Sequence, residues 1–135
     1  MRKLIFITTL FLTSCSGHKK VIGNYYLFGD SFEFMALYYG PPYYLGGIGV
    51  VQYCVFAVGN NDKYIIAKQH PFDPASSKSL DKSITNYFIV PVEDYHNWSK
   101  NRTKIVPLSQ SEFNQKRKEL GIEDIPFTTV YKQVE

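Results

Sequence analysis

Ile48 to Val58 (IGVVQYCVFAV) is apolar at both sets of alternating positions, with Gln52 the one exception. Successive strand residues point to opposite faces, so such a run must be covered on both sides or bend at Gly49. The GNND that follows, Gly59 to Asp62, supplies residues that tolerate the backbone of a tight turn. A hairpin into Lys63 to Gln69 (KYIIAKQ) is therefore predicted. That pairing makes a buried antiparallel centre around which the rest of the chain must be arranged.

The flanking segments fit this centre. Asn24 to Phe28, Phe34 to Tyr39, Asn86 to Val92 (NYFIVPV) and Phe127 to Gln133 (FTTVYKQ) read as further strands. Gly40 to Gly47 (GPPYYLGG) reads as a loop, because Pro41 and Pro42 cannot sit in a central strand. His70 to Ser83 is a polar connection. One helix is signalled, over Gln110 to Leu120. Ser109 and Glu112 form a capping box, Gly121 can end the helix in the left-handed conformation, and Phe113 and Leu120 share a face. The expected fold is α+β: an antiparallel sheet of five or six strands with one helix, in the C-terminal half, packed on one face.

The first residues follow a different logic. Arg2 and Lys3 precede Leu4 to Leu12, an apolar run too short to span a bilayer, which needs roughly 20 residues. Leu12-Thr13-Ser14-Cys15 has the spacing of a bacterial lipobox. Residues 1–14 are thus expected to be a lipoprotein signal peptide, with the Cys15 sulfur carrying the lipid. Residues 15–24 are expected to be the lipidated Cys and its tether, and residues 25–135 a single domain. One acyl chain holds a protein only marginally and two hold it stably. The expected location is a bacterial membrane, at its outer-membrane or periplasmic face, with the membrane as a partner through the anchor alone.

Removing residues 1–14 takes Arg2 and Lys3 from 15 basic side chains, leaving 13 against 12 acidic ones. So balanced a chain gives no reason to expect nucleic acid as a partner. Cys54 is then the only free thiol, which excludes a disulfide framework. It lies mid-strand, where a Cys usually acts as a small buried hydrophobe. GxSxG, HExxH, CxxC and phosphate-loop patterns are absent, and no spacing among His18, His70 and His96 suggests a metal. No cofactor, metal or catalytic residue is expected.

Aromatic density is the remaining signal. The chain has 11 Tyr and 10 Phe, many of them between Tyr25 and Tyr44. Most should pack the sheet, but Tyr43 and Tyr44 in the Pro-rich loop, and the single Trp98 in a polar segment, are candidate contacts for an envelope protein partner. Trp98 has a second reading, folding back onto the core. The expected role is a non-enzymatic binding or interaction module. The alternative is a small envelope hydrolase using His70 or His96 with a nearby carboxylate such as Glu93 or Asp94.

NDKYIIAKQHP (Asn61 to Pro71), NYFIVPV, IVPLSQSEFNQKRKELGI (Ile105 to Ile122) and FTTVYK (Phe127 to Lys132) resemble a family of small bacterial envelope lipoproteins of unknown function. The resemblance covers roughly residues 55–132, and Val106-Pro107-Leu108 departs from the Gly-Pro-Leu usual in that family before the helix. It implies a lipoprotein with one compact domain, and no activity or functional residue.

Overall fold

The computed structural model describes residues 18–40, 47–73, 75 and 79–135. The apolar run from Ile48 to Val58 does not stay one strand. It breaks at Gln52 to Cys54 into β4 (Ile48–Val51) and β5 (Val55–Asn60), and the two halves enter different sheets. Gln52, the lone polar residue, marks the break and is exposed. The single sheet of five or six strands is thereby replaced by two antiparallel sheets of four. The α+β class stands, with two helices rather than one.

The first sheet has the order β1 (His18–Ile22), β2 (Tyr25–Phe28), β3 (Ala36–Tyr39), β4. β1 was not expected: His18–Ile22 falls inside the stretch assigned to the tether, but pairs along β2 from His18↔Phe28 to Ile22↔Tyr25. Lys19 and Lys20 obscure it in sequence, since an edge strand can carry charges. The second sheet has the order β7 (Asn86–Pro91), β6 (Tyr64–Gln69), β5, β8 (Thr129–Val130). The expected hairpin is present, with Asn61 Oδ1 accepting the N–H groups of Lys63 and Tyr64, both at 2.8 Å.

The sheets share a core of Leu27, Leu37, Val51, Val55, Ile65 and Val90. β5 is buried at five of its six positions because it is covered on both faces, as its sequence requires. Gly59 has a specific reason to lack a side chain. A Cβ there would lie 1.8 Å from the Pro126 carbonyl oxygen, where the chain crosses β5 on its way to β8.

The outer face of the second sheet is covered by α2 (Gln110–Leu120), within the bounds predicted for it. Its capping box is complete: Ser109 Oγ accepts the Glu112 N–H at 3.2 Å, and the Ser109 N–H donates to Glu112 Oε2 at 2.7 Å. Gly121 ends it at φ 65°. Ser109→Ala is expected to cost about 1 kcal/mol of stability in urea unfolding. A loss near zero would show that the exposed cap contributes nothing. α1 (Tyr95–Asn101) was missed in sequence, because YHNWSKN lacks an apolar stripe. Asp94 starts it, its side chain accepting the Asn97 N–H at 2.9 Å.

Candidate functional site

From β7 the chain passes through α1 and a 3-10 turn (Arg102–Lys104), then returns beside β7. Tyr87 and Leu108 exchange backbone hydrogen bonds of 3.0 and 2.8 Å, pinning the return segment before α2 begins. Between β7, this segment and α2 lies a cleft of about 490 Å³. Ile89, Ile105, Leu108 and Leu120 give it apolar walls, and Val106, 51% exposed, also lines it. Its volume falls in the range that holds small ligands or a partner's side chains.

A polar chain borders the cleft. Asn101 Nδ2 donates to both Glu93 carboxylate oxygens, at 3.1 and 3.3 Å, and Lys104 Nζ donates to Asn101 Oδ1 at 2.9 Å. The buried Tyr25 hydroxyl holds the same corner: it donates to the Pro91 carbonyl at 3.0 Å and accepts the Glu93 N–H at 3.3 Å. Lys116 of α2 completes the charged lining.

Of the sequence-predicted site residues that the structure describes, Glu93 borders the cleft, whereas Trp98, His70 and His96 do not line it. Cys15, Tyr43 and Tyr44 lie outside the described residues. Trp98 is corrected from candidate contact to core residue. It is 2% exposed and stacks on Tyr39, with ring centroids 5.0 Å apart and planes at 8°. The Asp94 cap turns a segment that reads as a polar loop into a helix, and one inward position suffices to bury the indole.

Neither candidate histidine lines the cleft. His96 is exposed on α1. His70 is 3% exposed and stacked on Phe56 at 4.2 Å, with Nδ1 2.9 Å from the Ile84 carbonyl oxygen. A carbonyl only accepts, so Nδ1 carries the proton. Among the described residues no group of three or more His, Cys, Asp or Glu side chains is placed to hold a metal.

Cys54 is fully buried, and its thiol donates to the Phe32 carbonyl at 3.3 Å. Burial foremost, with a contribution from Glu33 against an opposing one from Lys82, pushes the thiol from an ordinary 9.0 up to about 11. Because only the thiolate attacks, Cys54 should resist a thiol reagent until the protein unfolds. Labelling of native protein at the unfolded rate would contradict this environment. Burial likewise raises the Tyr25 phenol to about 12. Both acids are weaker in the fold than in the unfolded chain. Their contribution to stability is therefore full below about pH 9 and falls as the pH rises through 11 and then 12. Urea midpoints that stay level across that alkaline window would contradict it.

A second feature lies at the other end of β6. Phe32, Phe34 and Tyr53 are 41%, 47% and 39% exposed. Phe34 and Tyr53 form a ring cluster with Phe72, the centroids of Phe34–Tyr53, Tyr53–Phe72 and Phe34–Phe72 lying 5.5, 5.4 and 6.1 Å apart, while the Phe32 ring meets Tyr131 at 5.3 Å. Phe32 and Phe34 belong to the aromatic-rich stretch seen in sequence, whereas Tyr53 and Phe72 were missed. The signal for Tyr53 was its position next to Gln52, where the apolar run breaks.

Comparison with known proteins places residues 39–131 in the family described as protein of unknown function (DUF3997). No curated protein and no solved structure matches the chain. With the match covering about two-thirds of its length, the chain belongs to the DUF3997 family.

Proposed function

We propose that this protein is a lipid-anchored, non-enzymatic interaction module of a bacterial cell envelope. Residues 1–14 direct export, Cys15 carries the lipid, and the folded domain recognises an envelope protein at the cleft between β7, α1 and α2. The observation that carries this reading is the lining of that cleft. Its walls are apolar, its carboxylate is engaged by Asn101, and among the described residues no histidine borders it. General acid–base hydrolysis needs a titrating pair in reach of one substrate position. His70 and His96 are both away from Glu93's cleft, so the geometry favours recognition over hydrolysis. Lys104 and Lys116 suit a partner segment that carries apolar side chains beside a carboxylate.

The test is crosslinking in native envelope, followed by binding measurements with the captured protein. Val106→Asp places a charge in the apolar cleft without disturbing the core, since Val106 is half exposed. It is expected to weaken binding by about 30-fold, the ~2 kcal/mol of an interface hot spot. Gln110→Asp, on the exposed side of α2, should bind as wild type does. Unchanged affinity in Val106→Asp would remove the cleft from the recognition surface.

A further inference from the structure

We propose that the Phe32, Phe34 and Tyr53 end of the domain rests on the lipid bilayer, an aromatic footing that supplements the acyl anchor. The inference rests on the tethered reading of Cys15. Its starting point is chain length. Only three peptide steps separate Cys15 from His18, the first residue of β1, and extended chain covers at most about 3.6 Å per step, roughly 11 Å in all. The start of β1 must then lie close to the lipid headgroups.

Strand register fixes what else lies there. His18 pairs with Phe28, Phe28 with Ala36, and Leu37 with Val51. The start of β1, the connection holding Phe32 and Phe34, and the connection holding Tyr53 are consequently at one end of the first sheet. Side-chain contacts agree. Lys19 Nζ donates to Thr129 Oγ1 at 2.9 Å, and Tyr131, two residues on, meets the Phe32 ring at 5.3 Å. Tyr53 and Phe72 adjoin the Gln69 end of β6, with the Gln69 amide 3.4 Å from the Tyr53 carbonyl oxygen. The cleft is at the Tyr64 end, about 17 Å away along the five steps of that strand. A domain standing on its aromatic end therefore presents the cleft away from the membrane.

The chemistry suits the interface rather than the hydrocarbon core. Phe rings supply apolar area that can sink into the boundary between headgroups and acyl chains, and Tyr adds a polar tip that favours the wet interface. Asp30 and Glu33 are exposed in the same connection, so charge attraction to anionic lipid is not the driving term. The footing should bind neutral phosphatidylcholine and gain nothing from added phosphatidylglycerol.

The experiment uses the mature, lipid-bearing protein in phosphatidylcholine vesicles with brominated acyl chains, which quench nearby indole. Phe34→Trp reports on the aromatic end and Val106→Trp on the cleft, over the constant background of buried Trp98. Phe32→Trp replaces Phe34→Trp should the latter fold poorly. The expected result is a blue-shifted Phe34→Trp emission that loses most of its added intensity, beside an unquenched Val106→Trp. A red, unquenched Phe34→Trp emission from protein that co-floats with vesicles overturns the inference. Blue-shifted but unquenched emission overturns it as well, by placing a second copy of the chain over the face. Mass spectrometry of the same sample separates the two readings. An unmodified Cys15 removes the tether and this inference together, whereas lipid on Cys15 with unquenched Phe34→Trp removes only the inference.

Discussion

Replacing Trp98 with Ala is expected to lower stability by about 3–5 kcal/mol, the cost of emptying a large aromatic site in a core that collapses only partly. That is a large share of the roughly 5–15 kcal/mol that holds an ordinary domain folded. The indole packs within the cluster containing Tyr25, Tyr39 and Val90, and among the described side chains of seven-residue α1 it is the buried one. Helices this short do not persist by propensity alone. Losing the anchor should release α1, and Asn101 with it, so the polar border of the cleft should be lost too. Urea unfolding followed by circular dichroism measures the effect, since the variant has no tryptophan left to report. A loss under about 1 kcal/mol would show that α1 is held by something other than its indole.

Phe113→Ala is expected to cost a similar 3–5 kcal/mol, by release of α2 from the second sheet. Phe113 is the buried residue of that helix, stacked on Tyr87 with centroids 4.8 Å apart and covered by the Arg117 guanidinium at 5.2 Å. Ile66, Ile122 and Ile125 complete its pocket. Arg117 does more than cover the ring. Its Nη2 donates to the Glu123 and Ile125 carbonyls at 2.6 and 2.8 Å, fixing the turn that follows α2. The contrast with Ser109→Ala is the informative measurement. The cap is exposed and the ring is buried, so the two losses should differ severalfold. Equal and small losses would mean that α2 does not dock.

What was legible in sequence follows from how local each signal is. The α2 helix was readable because its cap, its stop and its inward Phe113 all sit within thirteen residues. The hairpin from β5 to β6 was readable because GNND lies between two apolar segments. The division into two sheets was not, because nothing local says whether a doubly apolar run continues or breaks. Only the partners Leu37 for Val51 and Gln69 for Val55 distinguish the outcomes, and both are distant in sequence. β1 was hidden by its lysines and α1 by its polarity. The cleft, too, was invisible, since its walls come from β6, β7, the return segment and α2, which meet only in three dimensions. Of the two readings of Trp98, the core one holds and the contact one does not, because a polar neighbourhood in sequence is no guide to the burial of one large ring.

The proposed tether through Cys15 would leave its mark on the mature N-terminus. Protein purified from bacterial membranes should yield an N-terminal peptide beginning at Cys15, its mass raised by a thioether-linked diacylglyceryl group. An N-terminus elsewhere in the chain, with Cys15 absent or carrying no lipid, would contradict it.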